Sequence, residues 1–205
     1  MDKNNSKFNL EYTLELAQKD LLEKKIPLIC KNTGVTFSQQ EQCFKLPYLN
    51  HKVRIYLSGE INSDKELNIH EKITILHYLN NGGAGKAINS DNLISFKELP
   101  GGAIYIVPFT NRAIKPLIKM FGNSPEKLIT VAQKWEGGQA TFGDYSIFIP
   151  VFPKVTITYV IWAGDEEFPP NATILFNQSI VNYLPTEDVA VIASQLVYQM
   201  PGLLG

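Results

Sequence analysis

The stretch "YSIFIPVFPKVTITYVIW", residues 145–162, contains two strand-like apolar runs separated by "PVFPK". Side chains alternate between the two faces of a strand, so every second residue shares a face. In the second run one such face is apolar throughout, and it consists of Val155, Ile157, Tyr159 and Ile161. This period predicts a strand with one buried face, and the intervening turn predicts an antiparallel hairpin.

Further strands and helices are predicted on both sides of this hairpin. Strand patterns occur in "NATILF" (171–176), twice in "QCFKLPYLNHKVRIYLSG" (42–59), and in "GGAIYIVPF" (101–109). The last of these is apolar on both alternating faces, which predicts a buried central strand. Helices are predicted at residues 9–24, 68–82, 116–121 (after a turn at 111–115), 124–137 and from Thr186 onward. The irregular mixture predicts a single α+β domain over residues 1–205, with a mixed or antiparallel sheet packed against several helices.

Several residues mark the predicted ends of these elements. Asn68 and Glu71 have the spacing of a capping box, and Gly82 suits a left-handed helix end. The glycine pairs at 101–102 and 137–138 each precede a strand-like segment. We expect at least one positive φ in each pair, with the second pair closing a helix, because glycine adopts that conformation without a steric penalty.

The composition argues against two classes of function. The chain has 205 residues, with 19 Lys+Arg against 20 Asp+Glu and a net charge of -1. A nucleic-acid binder usually has a basic excess, so no nucleic-acid partner is expected. No apolar run reaches the length of a membrane span, so no membrane association is expected. The N-terminus is not a secretory signal, and the two cysteines, Cys30 and Cys43, suit a reducing cytoplasm, the expected location.

Common metal, phosphate and nucleophile motifs are missing from the sequence. His70 and His77 are seven residues apart rather than four, and neither cysteine has a CxxC partner, so no metal site is predicted. The stretch "NNGGAGKA", residues 80–87, lacks the terminal Ser/Thr of a phosphate loop and is better interpreted as a helix end and loop. A Cys–His pair involving His77 stays open, and His77 is otherwise a half-buried histidine with a hydrogen bond. Catalytic residues and cofactor are therefore unknown.

The stretch "WAGDEEFPPNA", residues 162–172, places Asp165, Glu166 and Glu167 directly after the predicted hairpin. Successive side chains of an extended loop alternate, so at most two of these acids face one site. Such a pair could perform acid–base chemistry or bind a hard cation, whereas the alternative is a solvated turn that discourages strand pairing. Gly164 and the two prolines stiffen the loop. We therefore expect at least one acid to be mostly buried beside Trp162 or Phe168, either in a ligand site or capping amides of its own loop.

Arg112, in "PFTNRAIKP", is one of only two arginines in the chain. It precedes a predicted helix, where it can reach a carboxylate. We expect an ion pair with Asp144 or with one of the acids at 165–167, and the alternative is an arginine that faces water. The candidate ligand-binding residues are Trp162, Asp165, Glu166, Glu167, Phe168, Arg112, Asp144 and His77.

Four segments, taken in order and spacing, resemble one family, domain of unknown function 3786. They are "ILHYLN", "ISFKELPGGAIYIVPFTNRAIKPLIKMFG", "FGDYSIFIPVFPKVTITYVIWAGDEEFPPNATILF" and "YLPTEDVAVIAS". The resemblance covers about residues 34–196, leaving 1–33 as an N-terminal helical region, and residues 162–170 are its most specific part. Members are found mainly in anaerobic bacteria and archaea, and no activity is established that could be carried over.

The resemblance implies a context of corrinoid and iron–sulfur metabolism. Some members carry an additional four-cysteine cluster domain; this chain lacks such cysteines, so a cluster would belong to a partner. We expect a cytoplasmic accessory protein that binds a protein partner or a small-molecule cofactor. One alternative is an enzyme that uses Asp165 and Glu167 with Arg112 or His77, and another is a purely structural interaction module. An apolar-walled pocket at the acids favours the first two, whereas an exposed apolar patch elsewhere favours the third.

Overall fold

The computed structural model describes residues 3–82 and 92–205, with side chains from residue 9 onward. Most of the predicted glycine-rich loop, residues 83–91, lies outside the described residues. The helices are α1 (Lys3–Leu22), α2 (Ile26–Thr33), α3 (Ile69–Gly82), α4 (Gly102–Phe109), α5 (Lys115–Phe121), α6 (Lys127–Lys134) and α7 (Thr186–Gln199). The strands are β1 (Thr36–Ser38), β2 (Cys43–Tyr48), β3 (His51–Tyr56), β4 (Ile61–Ser63), β5 (Leu93–Ser95), β6 (Gly138–Gln139), β7 (Tyr145–Phe152), β8 (Val155–Trp162) and β9 (Asn171–Asn177).

The predicted hairpin forms the centre of a large antiparallel sheet. Its strand order is β5-β9-β8-β7-β6, and β7 and β8 pair in register from Tyr145 opposite Ile161. All four apolar residues of the predicted face of β8 are buried. The hydroxyl of Tyr159 on this face donates to the carbonyl of Ala193 over 3.0 Å, which places α7 against the sheet.

A small antiparallel sheet, in the order β1-β2-β3-β4, contains the second predicted hairpin. Val53 and Ile55 of β3 are buried, as their alternation predicts. The amide of Leu49, in the β2–β3 turn, donates to the carbonyl of Val151 over 3.0 Å and joins the two sheets. The predicted α+β class is confirmed, and every strand pairing in the described parts of the chain is antiparallel.

The helix α3 begins as its sequence predicts. The amide of Asn68 donates to Glu71 Oε2 over 2.9 Å, and the amide of Glu71 donates to Asn68 Oδ1 over 3.0 Å, which is a reciprocal capping box. The left-handed end predicted at Gly82 is wrong, since its φ is not positive. Its carbonyl instead accepts from Asn32 Nδ2 over 2.6 Å, a contact with α2 that local sequence does not reveal.

The segment predicted as a buried central strand is the helix α4, and that prediction is wrong. Gly101 has φ 72°, which bears out the positive φ expected for this glycine pair. A side chain on Gly102 would overlap the carbonyl oxygen of Phe96, so the chain enters the helix in close contact with the preceding turn. Only Gly102 and Phe109 of α4 are buried. An all-apolar run fits a helix or a strand equally well, and the period alone does not decide between them.

A π turn, Thr110–Ile114, connects α4 to α5 without a break. The amide of Lys115 donates to the carbonyl of Thr110, five residues back. Pro116 has no amide hydrogen and its ring crowds the carbonyl four residues earlier, so the wider turn accommodates it. The turn predicted over residues 111–115 is thus a local widening of one continuous helical segment.

The end of α6 reverses at Glu136 rather than at the glycine pair that follows it. Glu136 has φ 55°, whereas Gly137 and Gly138 do not have positive φ, so the expectation for this pair is wrong. A side chain on Gly137 would overlap the carbonyl oxygen of Phe148 on β7. The glycine is required by this close approach. Across residues 3–82 and 92–205, no helix has both the length and the apolar character needed to cross a bilayer.

Candidate functional site

The three acids of the predicted loop all lie in solvent. Asp165, Glu166 and Glu167 are exposed in the connection between β8 and β9, so the expectation of a mostly buried acid is wrong. An added side chain on Gly164 would lie 2.8 Å from Pro170 Cδ, which shows that the loop closes on itself. The stiff residues order the loop, but they hold it outward from the core.

Asp165 stabilises the backbone of its own loop. Its Oδ1 accepts from the amide of Phe168 over 2.7 Å and from the amide of Glu167 over 2.8 Å. The amide of Asp165 in turn donates to the carbonyl of Phe168 over 2.9 Å. These two amide donors, first that of Phe168 and then that of Glu167, lower the pKa of Asp165 because they favour the charged carboxylate. Asp165 thus caps amides of its own loop, as the alternative to a ligand site predicts, but it does so at the surface and not in the interior.

Asp144 is the one distant candidate that the structure brings to this loop. Its Oδ2 accepts from the amide of Ala163 over 2.9 Å, so it fixes the chain as it leaves β8. The aromatic side chains of Trp162 and Phe168 in the same stretch are exposed, by 41% and 67%. An open cavity of about 510 Å³ lies between the loop and the connection from α5 to α6. Among the described residues, no group of three or more His, Cys, Asp or Glu is arranged to hold a metal ion.

Arg112 and His77 lie apart from the acidic loop. No carboxylate within the described ranges forms an ion pair with Arg112, so the predicted pairing with Asp144 or the loop acids is not observed. His77 Nδ1 lies 2.6 Å from Asp188 Oδ2, a half-buried contact between α3 and α7. The eight candidate residues therefore do not converge on one site, and their roles in ligand binding remain predictions.

A groove between α4 and α7 contains Arg112. Its floor is apolar: the rings of Phe96 and Phe109 stack with centroids 3.9 Å apart and planes 6° apart. At one end the hydroxyl of Thr186, the first residue of α7, donates to the carbonyl of Pro100 over 2.7 Å and joins the two walls. Arg112 and Glu187 both line this groove, whose volume is about 220 Å³.

The outer side of α4 continues this groove as an exposed apolar surface. Ile104 is 80% exposed, Tyr105 61% and Val107 65%, and Pro108 is also exposed. We call these four residues the α4 surface. Isolated exposed apolar residues are ordinary, but a contiguous group on one eight-residue helix is a feature of binding surfaces.

Sequence reasoning missed this surface because it assigned the segment to the core. Pro108 is a signal that could have corrected the assignment, since proline is rare in a central strand. Proline is also unusual inside a helix. Pro108 therefore argues against a central strand but does not show whether the segment is buried or exposed. The exposure of the other side of the helix depends on how Phe109 packs against the rings of Phe96 and of Phe176, which is far away in the sequence.

Comparisons with known proteins give a family and no closer relative. The family model described as Domain of unknown function (DUF3786) matches residues 25–199, most of the chain, and confirms the resemblance found in the sequence. No curated protein and no solved structure matches the chain significantly. The chain belongs to the family described as Domain of unknown function (DUF3786).

Proposed function

We propose that this protein is a non-enzymatic interaction module that binds a protein partner through the α4 surface, because the exposed apolar patch lies away from the acidic loop. The observation that carries the proposal is the exposure of Ile104, Tyr105 and Val107, at 80%, 61% and 65%, within one turn of one helix. Removing a large apolar side chain from water contributes roughly 1.5–3 kcal/mol. Folding of this chain does not bury these three side chains. A partner that covers the helix would bury them, and that burial would stabilise the complex.

A protein partner fits the groove better than a small cofactor does. The groove volume of about 220 Å³ is below the roughly 300–1,000 Å³ typical of small-molecule sites. The cavity at the acidic loop is larger, about 510 Å³, but exposed loop residues form one side of it. An open groove continuous with an apolar helix face suits the side chains of another protein.

The enzymatic alternative has less support. Asp165 uses its carboxylate on the amides of its own loop, and His77 uses Nδ1 on Asp188. Arg112 lines a different cavity from that of the loop acids. General acid–base chemistry requires groups within hydrogen-bond reach of one reacting atom. The cellular setting that we propose has two supports: the two isolated cysteines suit the cytoplasm, and the family resemblance alone suggests the corrinoid and iron–sulfur metabolism of an anaerobe.

The proposal is tested by photo-crosslinking inside the native cells. A photoreactive phenylalanine analogue replaces Tyr105 in one variant and Tyr12, on α1, in a control; Tyr12 is 55% exposed and Tyr105 61%. We expect one dominant protein adduct at position 105 and none at position 12. The double change Ile104→Ser and Val107→Ser should abolish that adduct without changing the melting temperature. Equal labelling at both positions, or an adduct that survives the double change, would overturn the proposal.

A further inference from the structure

The helical segment around the α4 surface carries positive charge only. Between residues 99 and 125 there is no Asp or Glu, and the cations are Arg112, Lys115 and Lys119. All three are exposed. Lys115 and Lys119, four residues apart on α5, share one helical face, and Arg112 lines the groove together with Tyr105 and Pro108.

Among the described residues, these three cations form no ion pair. Elsewhere on the surface, Lys24 lies 2.8 Å from Asp20, and Glu41 lies 2.9 Å from Lys45 and 3.3 Å from Arg54. In contrast, no ion pair of Arg112, Lys115 or Lys119 is formed with a carboxylate of the described residues. The three cations follow the α4 surface along the same helical segment. Because no carboxylate of the described residues pairs with them, they can form ion pairs with a ligand.

Charge and shape together select the kind of partner. A symmetric contact between two copies centred on α4 would bring two sets of these cations to one interface, and like charges oppose such a contact. An acidic partner gains instead from both the apolar face and the cationic border. The walls of the groove are two helices, a geometry that accepts an amphipathic helix with apolar residues three and four apart.

We infer that the partner presents an acidic amphipathic helix to the α4 surface, with its apolar side on the four residues of that surface and its carboxylates at Arg112, Lys115 and Lys119. This inference rests on the proposed function and names the chemistry of the partner. Glu187, on the α7 wall, is the one carboxylate that lines the groove in the described chain. It sets the orientation, because the carboxylates of the bound helix must lie toward α5 and away from α7.

The test is a selection from displayed helical peptides. Each peptide has fixed leucines three and four positions apart and random residues elsewhere, and it is selected on the purified full chain. The comparison variants are the charge reversal Arg112→Glu/Lys115→Glu/Lys119→Glu and the control Lys31→Glu/Lys52→Glu/Lys134→Glu. The control residues are exposed, form no ion pair in the described structure, and give the same change in net charge.

We expect the wild-type protein and the control to enrich Asp and Glu over Lys and Arg at least tenfold, and the charge-reversed variant to prefer basic peptides. Selection without a charge preference, or a preference that the control also loses, would overturn the acidic partner while leaving the proposed function standing. Peptides selected equally well on Ile104→Ser/Val107→Ser and on the wild type would overturn both the acidic partner and the proposed function. If no peptide is selected and the wild type instead sediments with phosphatidylglycerol vesicles, the occupant is a lipid surface and the inference is wrong.

Discussion

His77 on α3 and Asp188 on α7 are joined by a contact of 2.6 Å between Nδ1 and Oδ2. The side chain of His77 is 26% exposed and that of Asp188 11%, so the pair is largely shielded from water. Asp188 lies in the first turn of α7, directly after Thr186 and Glu187, which line the α4–α7 groove. The pair therefore anchors the end of the helix that forms one wall of the proposed binding surface.

This pair makes the free energy of unfolding depend on pH. Burial by itself lowers the pKa of His77, but the hydrogen bond and the charge of Asp188, with smaller contributions from Asp20 and Glu187, outweigh it and raise the pKa above 6.5. A raised folded-state pKa stabilises the protein fully below the unfolded-state value and loses that effect as the pH rises through the folded-state value. His77→Gln should cost about 1.5 kcal/mol below pH 6.5 and less at higher pH.

Urea unfolding at several pH values measures this difference. The matched control is His51→Gln, because His51 lies 3.0 Å from Asp64 in a pair whose carboxylate is half exposed. That change should alter the free energy of unfolding by less than about 1 kcal/mol. A cost for His77→Gln that is the same at every pH would show that the ion pair does not stabilise the α3–α7 contact.

The apolar residues of the α4 surface should contribute little to folding. We expect Ile104→Ser and Val107→Ser to change the free energy of unfolding by less than about 0.5 kcal/mol each, since both side chains are exposed and serine has a similar helix propensity. Phe109→Ala, on the buried side of the same helix, should cost about 3–5 kcal/mol. Chemical denaturation measures all three variants. A large loss of free energy of unfolding in Ile104→Ser or Val107→Ser would mean that these side chains stabilise the fold and are not kept for a partner.

Gly137 should tolerate no side chain, although its backbone conformation is ordinary. We expect Gly137→Ala to destabilise the protein by about 2 kcal/mol or more, because the new Cβ would overlap the carbonyl oxygen of Phe148. Gly202→Ala is the control, since a Cβ there meets nothing within 4 Å. Thermal unfolding of the two variants tests this prediction. Equal melting temperatures would contradict the close approach of Gly137 to Phe148 of β7.

The acidic loop should depend on Asp165 and not on the neighbouring acids. In Asp165→Ala, the amides of Glu167 and Phe168 lose their acceptor, so their hydrogen exchange should accelerate toward the rate of an unstructured chain. Glu166→Ala should leave both rates unchanged, because no hydrogen bond of its side chain holds the described part of the loop. Exchange monitored by NMR distinguishes the two variants, and equal protection in both would show that the prolines alone order the loop.

The elements predicted correctly are those whose signals are local. The alternation in residues 145–162 predicts the β7–β8 hairpin, and the spacing of Asn68 and Glu71 predicts the start of α3. Both patterns act within a few residues, so no distant contact overrides them. The predicted position of the end of α3 is correct, but the left-handed conformation predicted for Gly82 is wrong, and Asn32, fifty residues away, binds the carbonyl of Gly82 instead.

The candidate site was predicted less well because exposure depends on the whole fold. Local sequence showed that Gly164 and the prolines stiffen the acidic loop, but not that the loop faces solvent. Arg112 was identified as a candidate, and it does line a groove, although the acids expected beside it lie elsewhere. The α4 surface was missed because the sequence pattern of a core segment and that of a binding helix are both apolar.

In-cell radical footprinting tests the central claim, that α4 is covered by a partner, most directly. Labelling of Tyr105 in native cells is compared with labelling of the purified protein, with Tyr12 as an internal reference of similar exposure. Our account predicts that labelling of Tyr105 relative to Tyr12 falls severalfold in the cell and recovers in Ile104→Ser/Val107→Ser. An unchanged ratio of Tyr105 to Tyr12 labelling in cells and in purified protein would contradict it.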